Sequence, residues 1–229
     1  MALSTSPRGH ACDRPLMLRA LVFACMALLP SASSVDAQTV VAQKLVVRSY
    51  NTIGVPLPML DRAESTIAQL LREAGIDSKW RNCRTTKGPS SQSTDLCLDV
   101  TKASEVIVRL VRAPRAITDV EVLGYSHVDA YRGEGTLATV FVDRVRALAT
   151  ALRIDEGTLL GRAMTHEIGH LLLGTLDHAQ QGLMRGHWST DGRATDWFFS
   201  ITQAQRIQAA LASRINGIPP ALALARSTR

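Results

Sequence analysis

The segment at residues 165–178 constrains the fold more than any other part of the chain. It contains His166, Glu167 and His170 in the pattern H-E-x-x-H. On an α-helix, residues four apart project from the same face, so the two imidazoles lie about one turn from each other. Two histidines at this spacing are typical of a Zn²⁺ site, and Glu167 is placed to take a proton from a water at the metal.

A third metal ligand must come from beyond the end of this helix. Catalytic zinc takes three protein ligands and keeps its fourth position for water. Gly174 can end the helix in the left-handed conformation, and His178 is the nearest good donor after it. No glutamate follows Glu167, so Asp177 is the alternative ligand. Neighbouring residues in an extended chain point to opposite sides, so only one of Asp177 and His178 can easily bind the metal. The sequence favours His178 and leaves Asp177 open.

Residues 165–188 resemble the active-site region of the metzincin clan of zinc metallopeptidases, and the helix is similar to those of matrixins and archaemetzincins. The clan signature is H-E-x-x-H-x-x-G-x-x-H followed by a methionine-containing turn, to which Gly182-Leu183-Met184 is similar. The resemblance implies zinc ligands at His166, His170 and His178, a general base at Glu167 and a structural methionine at Met184.

The spacing departs from the clan signature. Here Gly174 follows His170 by four residues and His178 follows Gly174 by four, giving H-E-x-x-H-x-x-x-G-x-x-x-H. Either the helix runs one residue longer than in the family, or Leu173 or a neighbour bulges at the turn.

The N-terminal residues 1–37 have the pattern of a signal peptide. Arginines precede an apolar run at residues 20–29, and small residues follow up to Ala37. The run is too short for a membrane span. We expect cleavage after Ala37 and export to the periplasm or medium, without a membrane association afterwards; Met17 is a possible alternative start, and an uncleaved anchor is the competing interpretation.

Cys83 and Cys97 are the two cysteines of the expected mature chain. An oxidising compartment favours a disulfide between them, and closing a loop of about 15 residues stabilises by roughly 3 kcal/mol in the chain-entropy model. The net charge of +6 is spread along the chain rather than clustered, so no nucleic-acid partner is expected.

Hydrophobic periodicity predicts an α/β fold, with a mixed twisted sheet backed by helices in a single domain at residues 38–229. The predicted strands, the short one at 96–100 included, precede the metal-binding helix, Glu156–Leu173, and a closing helix follows the Met-turn. Predicted strands cover 39–50, 76–83, 96–100, 105–112, 120–128 and 137–143; helices cover 58–74, 156–173 and 202–215, with 145–152 helix or loop. The resemblance implies an upper part, 38–174, and a lower part, 175–216, with the substrate between them. The Gly-Ile-Pro-Pro stretch from Gly217 ends the last helix and leaves a tail, 217–229.

These observations together predict a secreted zinc-dependent endopeptidase, with Zn²⁺ as cofactor and a peptide or protein as substrate. The alternative is a catalytically inactive, zinc-stabilised binding protein on the same scaffold. Glu167 favours the enzyme, because a protein that only binds has no chemical need for a base beside the metal. The pattern carries no signal for an oligomeric state.

Overall fold

The computed structural model describes residues 43–83, 97–129, 131–188 and 197–217. The predicted signal peptide, residues 84–94 of the loop between Cys83 and Cys97, and the tail beyond Gly217 lie outside these residues. Within the described part of the chain, no helix is both long and apolar enough to span a membrane.

A five-stranded sheet forms one layer of the protein, with its strands in the order β2-β1-β3-β5-β4. The first four strands in this order are parallel to their neighbours, and β4 pairs antiparallel with β5 at one edge. Strands β3 and β5 are largely buried, as expected for parallel strands covered on both faces. The predicted mixed α/β sheet is therefore confirmed. The strands are β1 Gln43–Asn51, β2 Ile76–Cys83, β3 Glu105–Val111, β4 Gly124–Asp129 and β5 Glu134–Phe141.

Four helices, described within the same residues, pack with the sheet. The helices are α1 Leu57–Glu73, α2 Val142–Leu152, α3 Glu156–Leu173 and α4 Ile201–Asn216. Helix α3 is buried along most of its length and contacts α1, α2, α4 and the strands β3, β4 and β5. A Cβ at Gly161 would lie 2.7 Å from the Ala63 carbonyl oxygen, so a side chain larger than hydrogen would push α1 and α3 apart.

The ends of α3 follow from its sequence. Asp155 caps the N-terminus, where its carboxylate accepts a hydrogen bond from the Thr158 backbone N–H at 2.8 Å. Gly174 ends the helix with φ +67°, the left-handed conformation that glycine adopts without strain. The predicted bounds of this helix agree with the structure.

The segment before β4 is not extended, although residues 120–128 were predicted as a strand. Arg144, on α2, donates hydrogen bonds to the carbonyl oxygens of Ile117, Asp119 and Val122. These carbonyls are turned toward α2 and do not take part in a sheet ladder, so β4 begins only at Gly124. Residues 145–152, for which helix and loop were both open, belong to α2.

The predicted strand at residues 96–100 is wrong. Cys97 and Leu98 are helical and Asp99 lies in a bend. The Cys83–Cys97 disulfide is present, and the Tyr50 hydroxyl donates to the Cys97 carbonyl oxygen at 2.7 Å. These two ties hold the segment against the ends of β1 and β2 in place of a ladder.

Candidate metal centre

Three histidine side chains converge at the C-terminal half of α3. His166 and His170 share one face of the helix, and the chain beyond Gly174 brings His178 back to them. The Nε2 atom of His166 lies 3.0 Å from that of His170 and 3.3 Å from that of His178. One ligand atom from each of the three residues lies within 4.8 Å of the others.

Backbone carbonyls fix the tautomers of the two helix histidines. His166 Nδ1 lies 2.8 Å from the Leu183 oxygen, and His170 Nδ1 lies 2.8 Å from the Thr175 oxygen. A carbonyl only accepts, so each Nδ1 carries the proton and each Nε2 presents a lone pair. Two such nitrogens 3.0 Å apart cannot hydrogen-bond to each other.

This geometry fits a shared cation. Zinc–nitrogen bonds of about 2.0–2.1 Å in tetrahedral array place ligand nitrogens roughly 3.3–3.4 Å apart. The two separations given above are within a few tenths of an ångström of that value. The carbonyl oxygens of Leu183 and Thr175 supply the outer hydrogen bonds that orient metal-binding imidazoles.

The surroundings of all three imidazoles favour the neutral form that a metal requires. Burial lowers the pKa of His166 to about 3, and the nearby His170 and His178 lower it further, against the hydrogen bond to Leu183. Burial also lowers the pKa values of His170 and His178. Neutral rings can offer their lone pairs to a metal near neutral pH without first losing a proton.

The longer spacing before His178 is accommodated by a regular helix end. The Gly174 N–H donates to the His170 carbonyl at 3.0 Å, so α3 continues without a bulge up to its cap. A Cβ at Gly174 would lie 1.8 Å from the Gly133 oxygen in the β4–β5 turn, which makes glycine necessary here for space as well as for φ.

Asp177 is engaged outside the histidine cluster. Its carboxylate accepts a hydrogen bond from the Thr175 hydroxyl at 2.8 Å, and its N–H donates to the same hydroxyl at 3.1 Å. The ring of His178 instead stacks on His166, with an interplanar angle of 22°. Of the two alternatives, the structure brings His178 to the cluster.

Met184 packs against α3 at Gly169. Its side chain is 1% exposed, and a Cβ at Gly169 would lie only 2.5 Å from its sulfur. The turn that carries it has Gly182 at φ +80°, and the Leu183 N–H donates to the Phe198 carbonyl at 2.9 Å. The methionine is therefore part of the packing between this turn and α3.

Glu167 is buried beside the cluster and is held by strand β4. It is 6% exposed, and its Oε2 accepts a hydrogen bond from the Ser126 hydroxyl at 2.7 Å. Burial raises the pKa of Glu167 to about 7, although the Ser126 hydrogen bond lowers it. Sequence reasoning did not identify Ser126 or Gly124, because only the pairing of β4 and its packing on α3 bring them to the carboxylate.

A cavity of about 490 Å³ adjoins this site. Its lining includes the segment 119–124, the α2 face that carries Ala147 and Leu148, and the segment 185–188, together with His166, Glu167 and His178. The wall at 119–124 is held by Arg144, as described above. His187 Nδ1 lies 2.9 Å from a carboxylate oxygen of Glu121 and joins the two walls.

Several solved structures are similar to this chain. A zinc-dependent peptidase from Methanocorpusculum labreanum has 13% identity and a TM-score of 0.45, covering 70% of this chain and 99% of that one. Archaemetzincin from Methanopyrus kandleri has 17% identity and a TM-score of 0.47, covering 74% and 96%. Metalloproteinase-II from Bacteroides fragilis has 16% identity and a TM-score of 0.46, covering 74% and 53%. No protein-family model and no curated protein matches the chain.

Proposed function

We propose that this protein is a zinc-dependent, metzincin-like peptidase that hydrolyses peptide bonds. The observation that carries the proposal is the convergence of three imidazole Nε2 atoms next to one buried carboxylate in a cavity. His166, His170 and His178 would hold the metal, and Glu167 would serve as the general base.

A zinc ion in this site would supply Lewis acidity, which polarises a carbonyl and lowers the pKa of water to about 7. In this function the Glu167 carboxylate would accept a proton from the attacking water and pass it to the amine nitrogen that leaves. The Leu183 and Thr175 carbonyls keep the imidazoles of His166 and His170 turned toward the metal position. Met184 packs against α3 at Gly169.

The cavity suits a peptide substrate in both size and position. Its volume of about 490 Å³ accommodates side chains next to the scissile bond. It is lined by residues of both the upper part, 38–174, and the lower part, 175–216, which supports a cleft between them. Strand β4 ends the described sheet, and its outer edge pairs with no other described strand, so an extended peptide can add to it.

Export is part of the proposal. The disulfide between Cys83 and Cys97 suits an oxidising compartment, and the pattern at residues 1–37 suits a cleaved signal peptide. N-terminal sequencing of protein recovered from the periplasm or medium should begin at Gln38. Retention in the cytoplasm with an intact N-terminus would contradict this part alone.

Hydrolysis of an unfolded protein, with and without a chelator, tests the central activity. We expect peptide-bond cleavage that stops when the metal is removed and returns when one equivalent of Zn²⁺ is restored. Zinc binding without cleavage of any unfolded protein would instead identify the inactive, zinc-stabilised binding protein. Cleavage that is indifferent to the chelator would contradict both functions.

A further inference from the structure

Two residues on one face of strand β4, Gly124 and Ser126, lie next to the carboxylate of Glu167. Ser126 and Gly124 are two residues apart, so both face α3. Ser126 is 8% exposed and its hydroxyl reaches Glu167 Oε2 at 2.7 Å. A Cβ at Gly124 would lie 3.0 Å from Glu167 Oε1, so the absence of a side chain leaves space for that oxygen.

The two carboxylate oxygens therefore have different surroundings. Oε2 accepts from Ser126, whereas Oε1 accepts no hydrogen bond from any described residue. Gly124 and Glu167 both line the cavity that also contains His166 and His178. One oxygen is held in place, and the other is left available for a proton from water.

The Ser126 hydroxyl has a second acceptor within reach, the Glu167 backbone oxygen at 2.8 Å. A hydroxyl has one proton to donate, and an ionised carboxylate is a stronger acceptor than a carbonyl. The hydrogen bond to Oε2 is therefore favoured while Glu167 is ionised, as the base must be before it accepts a proton. A serine that only tied β4 to α3 would need the backbone oxygen alone.

We propose that Ser126 is a positioning residue for the reaction, whose hydroxyl holds Glu167 with Oε1 turned toward the reacting water. This inference rests on the proposed peptidase function. Ser126 contacts neither metal nor substrate in this account, and its effect passes through Glu167. Its removal should slow the chemical step and leave substrate binding intact.

Two pairs of variants separate positioning from structural support. Ser126→Thr and Ser126→Val have side chains of the same volume and differ in the hydroxyl. Ser126→Ala is matched by Ser49→Ala, because Ser49 is also buried in a strand, at 1% exposure, and its hydroxyl has no hydrogen-bond partner among the described residues. Zinc content and melting temperature verify that each variant folds and loads metal.

We expect Ser126→Ala and Ser126→Val to lower kcat by about 10- to 100-fold, the range expected when a reacting group is misplaced by an ångström. KM should stay within about twofold, because the hydroxyl is not part of the substrate-binding surface in this account. Ser126→Thr should retain most of the wild-type kcat, and Ser49→Ala should match the wild type.

A second measurement does not depend on turnover. In the metal-free protein, the ¹³C carboxyl signal of Glu167 is identified as the one that Glu167→Gln removes. Ser126→Ala and Ser126→Val should shift this signal, whereas Ser126→Thr and Ser49→Ala should leave it near its wild-type position. An unmoved Glu167 signal in Ser126→Ala would overturn the inference, because the hydrogen bond would then be absent in solution.

The kinetic outcomes keep the inference distinct from the function it rests on. An active wild type with an unchanged kcat in Ser126→Ala would overturn the positioning role and leave the peptidase function standing. A rise of KM in Ser126→Ala without a loss of kcat would also overturn the positioning role. A wild type loaded with zinc but without any turnover would overturn the function and the positioning role together.

Discussion

Glu105 and Glu167 are both buried carboxylates, but their surroundings are opposite. Glu105, on β3, is ion-paired with Arg48 and lies 3.3 Å from Arg81, and it accepts the Lys102 N–H at 3.0 Å. Burial by itself would raise the pKa of Glu105, but the Lys102 N–H and the two guanidinium groups hold it below its usual range. For Glu167 one hydroxyl is the donor, and burial raises the pKa to about 7.

These surroundings indicate that the cluster around Glu105 is structural and that the cluster around Glu167 is suited to bind a ligand. Around Glu105 both charges of the buried pair are matched within the chain, so the cluster needs nothing from outside. Around Glu167 the Nε2 lone pairs of His166 and His170 face each other 3.0 Å apart, which disfavours the arrangement until a cation joins it. We therefore expect changes at Glu105 to affect stability and changes at Glu167 to affect chemistry.

The largest expected effect comes from Glu167→Gln. General acid–base groups contribute about 10²–10⁴-fold, so kcat should fall by that range while one zinc remains bound. The unfolding free energy should stay equal or rise, because a neutral amide is less costly to bury than a carboxylate. Metal analysis, steady-state kinetics and thermal unfolding measure the three quantities. Glu156→Gln, on the same helix but exposed, is the matched control, and an equal loss of activity there would remove the contrast.

Glu105→Gln should have the opposite profile. Leaving the Arg48 charge buried without its partner costs about 3–5 kcal/mol of unfolding free energy, while zinc content should be unchanged. Because the pKa of Glu105 is lowered in the folded state, its contribution to the unfolding free energy is present above its unfolded pKa, about 4.3. That contribution is lost as pH falls through the folded pKa. The difference in unfolding free energy between wild type and Glu105→Gln, measured by denaturant unfolding, should therefore shrink from pH 7 down to pH 3. The exposed Glu73→Gln is the control, and a gap between wild type and Glu105→Gln that widens in acid would contradict the account.

Cys83→Ser tests the disulfide between the end of β2 and Cys97. Opening a loop of about 15 residues should cost roughly 3 kcal/mol in the chain-entropy model. Zinc stoichiometry should not change, because the disulfide joins the end of β2 to Cys97 and does not touch the histidines. Adding a reductant to the wild type should lower its melting temperature toward that of the variant. Two free thiols in the non-reduced exported protein would disprove the bond itself.

The smallest effect is expected from Gly169→Ala. Alanine normally stabilises a helix interior by about 0.5–1 kcal/mol relative to glycine. Here the new Cβ would lie 2.5 Å from the Met184 sulfur, and such overpacking costs about 1–3 kcal/mol. Thermal unfolding of the zinc-loaded variant should show a net loss of stability. A gain would mean that Met184 does not lie against α3.

Much of the fold was predictable because its signals are local. The apolar residues of α1 recur at helical spacing, and Asp155 and Gly174 mark the two ends of α3. The pairing of His166 and His170 followed from the same periodicity, since residues four apart on a helix share a face, whereas His178 was predicted as the nearest donor after Gly174. Ser126 and Arg144 had no such signal, because their roles arise only when β4 pairs with β5 and α2 packs beside the cavity. The wrong strand at 96–100 failed for the same reason, since the disulfide and the Tyr50 hydroxyl determine its conformation.

Zinc affinity in a pair of neighbouring variants tests the central claim most directly. Wild type, His178→Ala and Asp177→Ala are stripped of metal, titrated with Zn²⁺ against a competing chelator and analysed for bound metal. We expect one zinc per wild-type chain and nearly unchanged binding in Asp177→Ala. In His178→Ala the affinity should fall by more than about 100-fold, which exceeds the effect of losing an outer-shell hydrogen bond. Loss of binding in Asp177→Ala with retention in His178→Ala, or an equal affinity in all three proteins, would contradict the three-histidine site.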